Sequence, residues 1–446
     1  HLSSHLSLSS TMCQTKKSST RSPSPSSTEK PMTFPEGDLS APENAWLKTF
    51  DLEKFTKEIA DLGKTLEKNQ GPADVAHLNK IVLWSNLCAL VGIATMGYGV
   101  SLVPIVALST WTFSRWTMIA HHTCHGGYDK IHPNKGRWNR FKFAVGSFWN
   151  RLADWFDWMM PEAWNIEHNN RHHYCLSELD DPDLVENNLK EIRALDVSLP
   201  VKYLIVFLNM MTWKWAYYAP NTYKELKLAG MRKRGEKIPS HIDPTDALTI
   251  RVLLSGESYF YSLWEFISVV AGPYLLIHFF LMPLPLLLLE NYTGAVKYTM
   301  YTSAVQNLFL AEILTNIHAF VAIVTNHAGD DMYRFRSGCK PYSGSFYLRQ
   351  VLASVDFTYG SDVIDFMHGW LNYQIEHHMW PSLSMLSYQK AAPIVKEICE
   401  RHGVPYVHEN VFWRVHKTVE IMVGTTSMRW FPVKKEEEFL KIDKRA

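Results

Sequence analysis

No CxxC pair occurs in the sequence, whose six cysteines (Cys13, Cys88, Cys124, Cys175, Cys339 and Cys399) are scattered. That spacing points away from a disulfide framework and from a thiolate zinc site, so any metal must be held by other ligands. Net charge is nearly missing too. The 45 Lys and Arg balance 44 Asp and Glu, leaving a formal charge of +1; this argues against nucleic-acid binding, which calls for a strongly basic surface. No internal repeat is evident. What is abundant is aromatic and imidazole chemistry, with 20 His, 16 Trp, 20 Tyr and 22 Phe in 446 residues. The mean hydropathy of −0.15 resembles that of a soluble protein, but it averages over apolar residues that come in blocks.

Residues 1–34 are Ser/Thr-rich, with Lys16, Lys17, Arg21 and Lys30 against the single acid Glu29. The expectation is disorder, with the composition of a transit peptide and without the apolar run of a secretory signal. The disordered or targeting segment is taken to extend to residue 43. With His1 first and Met12 the first methionine, an incomplete precursor or residues upstream of the start are both expected possibilities. In 44–69, Trp46, Leu47, Phe50, Leu52 or Phe55, and Ile59 recur at helical spacing among charges. An amphipathic helix lying on a surface is expected there, within a region 44–80.

From Ile81 to Ala120 the only charge is Arg115, with a break at Gly97, Tyr98 and Gly99. Such a stretch suits two spans of about 20 residues across a hydrocarbon core of roughly 30 Å. A second pair is expected at 265–289 and 299–325, less pure because it holds His278, Glu312 and His318, and polar groups inside a span are functional candidates. Residues 201–219 contain Lys202, Lys214 and several Trp and Tyr, which suits the membrane interface. The fold expected is an all-α integral membrane protein over 81–430. Its four transmembrane helices form two hairpins beneath a helical cap on the cytosolic side. A charged tail, 431–446, is expected to stay solvated.

Three histidine clusters stand out: HHTCH (121–125), HNNRHH with His168, His172 and His173, and QIEHH with Gln374, His377 and His378. On a helix, positions i, i+3 and i+4 share a face, so each cluster can converge on a point. Neutral imidazole is the commonest nitrogen ligand for transition metals. Two spans between His173 and Gln374 return the chain to its starting side, so all three clusters can meet there. Eight or more imidazoles exceed the four ligands of one structural zinc and suit two metals. A carboxylate-bridged bundle would show two Glu-x-x-His motifs, and that pair is missing. An imidazole-rich site beside a bilayer points to oxidation of something buried in lipid. Iron is favoured, because zinc has no redox chemistry and an unactivated alkyl chain yields hydrogen only to an oxidant made from O2.

HHTCH, HNNRHH and LNYQIEHHMWPSL (Leu371 to Leu383), set among two hairpins, resemble the membrane fatty-acid desaturase family with three histidine boxes. The Gln opening the third box is similar to that of front-end desaturases, which place a double bond between an existing one and the carboxyl end. The resemblance covers roughly 80–420. It implies metal ligands at His121 and His125, at His168, His172 and His173, and at His377 and His378. It also implies a His just after the fourth span, for which His327 matches and His318 is a second candidate. His122 stands where Asp is usual, as a ligand or as a partner orienting His121 or His125. Trp370 stands where Gly is common. No HPGG motif of a fused cytochrome b5 domain is present, so a separate cytochrome b5 or a ferredoxin is the expected electron donor. The implied activity is O2-dependent introduction of a double bond into a lipid acyl chain, front-end type on a polyunsaturated fatty acid, at two Fe ions. The endoplasmic reticulum is the default membrane and a plastid membrane the alternative.

Other assignments follow from position. Gln374 is placed at or beside the centre as a catalytic residue, through a weakly binding amide oxygen or as a hydrogen-bonding amide. Glu167 and Glu376 read as acceptors for ligand imidazoles or as solvated helix acids. Asp180, Asp181 and Asp183 around Pro182 read as a turn and helix start. Trp155, Trp158 and Trp164 suit an acyl entrance or an interfacial belt. A lipid hydroxylase would share every box. Haem held by paired His would place its ligands inside the spans, and a transporter using His278, Glu312 and His318 would leave the three clusters unexplained.

Overall fold

The computed structural model describes residues 35–134, 136–294 and 299–445; the stretch 1–34, expected to be disordered or a targeting segment, lies outside them. The described chain is mostly helical. Its strands are two-residue parallel pairs, Tyr333–Arg334 with Arg429–Trp430 and Asp356–Phe357 with His408–Glu409.

The expected helix over 44–69 is two pieces. A 3-10 helix, Pro42–Lys48, is followed by an α-helix, Leu52–Asn69. The break falls where Asp51, in extended backbone, caps the second piece by accepting the Lys54 N–H at 3.1 Å, satisfying one of the orphan donors of a helix start. Leu52, Phe55, Ile59, Gly63 and Leu66 are buried along one stripe. Helices Gly344–Leu352 and Met385–His402 cover that stripe, so protein, and not a membrane surface, takes the apolar face.

Among the described residues three helices are long and apolar enough to cross a membrane: Pro72–Thr95, Leu263–Thr293 and Thr299–Asn326. Their outer faces expose Leu83, Leu87, Leu90, Leu276, Phe280, Leu288 and Phe309, the pattern of helices solvated by hydrocarbon. The expected count of four is therefore not reached on these criteria. Helix Leu102–Phe113 does continue, through a π-helical stretch Ser114–Ala120, into His121–Cys124. It packs along Pro72–Thr95 and Thr299–Ile323. Its second half, however, carries Arg115 and turns Ser109, Thr110, Thr112, Ser114 and Thr117 inward, which makes it more polar than its neighbours.

Residues 201–219 are not an interfacial segment with lysine stems reaching outward. Helix Leu199–Trp213 passes through a π-helical turn, Lys214–Tyr218, into Ala219–Arg234. Lys214 is 0 % exposed, with Nζ 3.1 Å from Asp157 Oδ2 and 2.8 Å from Glu312 Oε1. Glu312 also accepts from the Tyr274 hydroxyl, and His278 stacks on that ring at 4.7 Å. Of the polar groups of the second pair of spans, Glu312 is thus ion-paired to Lys214, and His278 is stacked beside it on Tyr274. The tail is not a solvated run either. Helix Val433–Asp443 buries Phe439, and its Glu436 accepts from Arg349 at 3.0 Å.

Candidate metal centre

Two of the three histidine clusters sit on a local irregularity. The π-helical stretch Ser114–Ala120 runs straight into His121, and a second one, Asn165–Asn169, carries His168; such widened turns recur at functional sites because they re-aim the following side chains. After His125 the chain turns at Gly126, with φ +90°, a conformation that disfavours any side chain. A Cβ on Gly127 would lie 2.7 Å from the Leu383 carbonyl, so the first cluster and the chain following the third approach through a glycine. A 3-10 turn, His172–Tyr174, presents the rest of the second cluster. Helix Gln374–Met379 presents the third, its start fixed by the Ile375 N–H donating to Asp356 Oδ1 at 3.0 Å.

These elements bring His121, His125, His168, His173 and His377 into one buried group, with one nitrogen of each within 4.8 Å of the others. His172, His327 and His378 form a second group by the same measure, and His168, His172 and Asp183 a third that overlaps both neighbourhoods. The first two are adjacent, since His173 stacks on His378 with ring centroids 4.1 Å apart. Inside the first, the Nε2 atoms of His121 and His377 are 2.9 Å apart, and those of His168 and His173 3.2 Å.

Donor positions are fixed from behind. His172 Nδ1 is 2.9 Å from Asp181 Oδ1, and His327 donates its Nδ1–H to the Ala353 carbonyl at 3.1 Å. Both bonds leave Nε2 as the bare lone pair, the arrangement that orients a metal-binding imidazole. Several other ring nitrogens are buried without any hydrogen-bond partner among the described residues: His125 Nε2 and both nitrogens of His378. Orphaned buried nitrogens are costly unless something accepts their lone pairs. Burial first, and then the neighbouring imidazoles, push His125, His168, His173, His377 and His378 well below the usual histidine range. His327 is pushed down to about 3 by burial and His172. For His172 burial acts in the same direction, but Asp181 and Asp183 outweigh it and the net shift is upward. A buried, imidazole-rich donor set fits first-row transition ions such as iron, copper, nickel or zinc.

Two residues weighed as ligands lie outside the groups. His122 donates Nδ1–H to the Met118 carbonyl one turn back, at 2.8 Å. His318 stacks on Phe113 at 3.8 Å and reaches the Met367 carbonyl at 2.5 Å. Gln374 lies beside the second group, its Nε2 3.0 Å from His327 Nε2, while its Oε1 has no partner. Glu167 and Glu376 are not solvated: both are buried. Burial and the adjacent carboxyl of Asp183 or Asp356 hold each well above the usual range. Trp155, Trp158 and Trp164 are buried rather than in an interfacial belt, and Trp164 stacks on His168 at 4.5 Å. Asp181 is the contributor that sequence reasoning placed only in a turn; it also accepts the Ser177 and Asp183 N–H groups, so the turn itself aims the carboxylate at His172.

The family model described as "Fatty acid desaturase" matches residues 98–410. The chain is 27% identical over 116 residues to Delta(5) fatty acid desaturase A of Dictyostelium discoideum, covering 25% of each chain. It is 23% identical over 333 residues to the sn-1 linoleoyl-lipid 6-desaturase of Arthrospira platensis, covering 74% of this chain and 75% of that one. Over 98 residues it is 33% identical to the chloroplastic acyl-lipid (7-3)-desaturase of Chlamydomonas reinhardtii, covering 22% of this chain and 19% of the relative. The chain thus spans a quarter or less of two of these relatives and three quarters of the other. No solved structure matches it significantly. With a family match over more than half its length and the box histidines gathered in its interior, the chain belongs to the fatty acid desaturase family.

Proposed function

We propose that this protein is a front-end desaturase that introduces a double bond into a polyunsaturated acyl chain of a lipid. In this reading His121, His125, His168, His173 and His377 hold one iron ion and His172, His327 and His378 a second. The helix 102–124 is the fourth membrane span, completing two hairpins. The observation that carries the reading is that eight imidazoles from three distant boxes and the TNHAG loop occupy two touching buried groups.

Iron bound there would supply O2 activation, with electrons from a separate cytochrome b5 or ferredoxin. The net change takes two hydrogens from adjacent methylenes; with O2, two electrons and two protons it yields one alkene and two waters. The chain's own residues provide position and dryness. Asp181 and the Ala353 carbonyl each hold an Nδ1 proton, so that His172 and His327 present Nε2. Trp164 backs His168 and His121, with the His121 ring at 5.1 Å, and helps to keep water from the imidazoles. Gln374, whose amide nitrogen lies 3.0 Å from His327 Nε2, covers that lone pair in the metal-free chain and would give it up to iron, remaining beside the centre as a polar, non-anionic neighbour. Thr117, one turn before His121 on the proposed fourth span, lies against Gly369 with Phe113, so the helix that carries the first box is packed on the loop before the third. Holding one carbon pair beside the imidazoles is a matter of orientation, and orientation contributes up to about 7–11 kcal/mol to such a barrier.

The test is expression in yeast fed a panel of polyunsaturated acids, with new double bonds located by mass spectrometry. A double bond between an existing one and the carboxyl end, lost in His378→Ala, is the expected result. A hydroxylated product would replace this reading by that of a lipid hydroxylase, and full product formation by His378→Ala would remove the metal assignment. Fractionating the same cells and testing complementation with each carrier addresses the endoplasmic-reticulum or plastid setting and the electron donor.

A further inference from the structure

Helix Val411–Val423 lies beyond the residues matched by the family model, yet it reaches the loop that carries His327. Arg414 on this helix is 0 % exposed. Its Nη2 donates to the Ala328 carbonyl at 3.0 Å, on the residue directly after His327, and Thr418, one turn on, donates its hydroxyl to the same oxygen at 3.0 Å. Arg414 Nη1 lies 2.8 and 2.7 Å from the two carboxylate oxygens of Asp331 and 3.3 Å from Glu409. Lys417 joins Asp331 and Glu409 at 2.7 Å each. The guanidinium therefore spans the turn 328–331 from carbonyl to carboxylate. Gly329, between them, has no room for a side chain: a Cβ there would overlap the Arg414 guanidinium and the Asp331 carboxylate.

We infer that Arg414, with Thr418 and Gly329, is a positioning device for the second metal site: a clamp from the C-terminal helix that fixes the turn after His327 so that its imidazole faces His172 and His378. The inference rests on the proposed metal assignment. His327 is held at its ring by Ala353 on one side and meets Gln374 on the other, and of the eight imidazoles it is the one that stands outside a histidine cluster. Its placement therefore depends on the backbone of the turn that follows it. A planar cation with several donors in fixed directions suits this task better than a lysine, which offers a point charge on a flexible stem.

The test is metal binding by the full chain purified in detergent, with iron counted per chain and Co(II) affinity measured by titration. Wild type, Arg414→Lys, Thr418→Val, Gly329→Ala, His327→Ala and the double variant His327→Ala/Arg414→Lys are compared. Wild type taking up two ions supports the metal assignment itself; uptake of none overturns that assignment separately from the clamp. Given two, the clamp predicts that the second ion binds about 10- to 100-fold more weakly in Arg414→Lys, the loss usual for residues behind a ligand. The isosteric Thr418→Val should shift in the same direction without loss of the folded, monodisperse protein. It also predicts that the double variant binds no worse than His327→Ala alone, since two changes acting through one ligand do not add. Unchanged second-site affinity in both Arg414→Lys and Thr418→Val, or additive losses in the double variant, would overturn it.

Discussion

His172 and His122 both engage Nδ1 with a neighbour, and what separates them is whether a ring nitrogen lies among the other imidazole nitrogens. His172 gives Nδ1 to Asp181 and presents Nε2 to its group. His122 gives Nδ1 to the carbonyl of its own helix and stands outside both groups. Replacing Asp181 by Asn removes the charge that holds the proton and should weaken metal binding about 10- to 100-fold, read by competitive titration, with little change in expression. His122→Asn should keep close to the wild-type iron content, while His125→Asn should lose the greater part of it. That the three clusters could meet was legible at this scale from their spacing, since i, i+3 and i+4 residues share a helix face, although the second cluster is divided between a π-helical stretch and a 3-10 turn. The Asp181 contact was not. It depends on a turn that folds a carboxylate back nine positions, and such a turn has no period. His318 fails as a ligand for a related reason: its helix phase points it at Phe113 and Met367, and single-residue phase is invisible once a span is apolar on every side.

Among the elements, the helix that contains Lys214 is the instructive one. A lysine amid tryptophans reads as interfacial from local composition, whereas in the fold it closes a triad with Asp157 and Glu312, drawn from a loop and a span far away in sequence. Cutting out the cation would strand two buried carboxylates, so Lys214→Met should cost about 3–5 kcal/mol of stability. Adding Asp157→Asn and Glu312→Gln should recover a large part of it, both read by thermal unfolding in detergent. Apolar spans and the amphipathic Leu52–Asn69 helix were legible, since burial of a stripe leaves a sequence period. What covers that stripe was not, nor was the docking of the Val433–Asp443 helix, whose many charges mask the buried Phe439 and the Glu436–Arg349 pair.

At the level of the whole molecule, parity carried the prediction that three clusters separated by spans could share one side, and the fold does bring them together. The same convergence makes the metal-free protein sensitive to acid. Five imidazoles held well below the usual range stay neutral when folded, while in the unfolded chain they take up protons near pH 6.5. Below that pH the unfolded state binds more protons, so the stability present above about pH 6.5 is lost as pH falls further. Glu167, Glu376 and His172, held above their usual ranges, act in the opposite direction over the same window, so the share of the imidazoles is read by difference: the change in melting temperature of metal-free protein from pH 7.5 to pH 5.5 should be less destabilising in His125→Asn and His378→Asn than in wild type, and an equal change would argue that these rings are solvated. The central claim is tested most directly by iron-edge anomalous diffraction on the purified chain. The account predicts two iron ions, one among His121, His125, His168, His173 and His377 and the other among His172, His327 and His378; a single ion, or iron bound away from these rings, would contradict it.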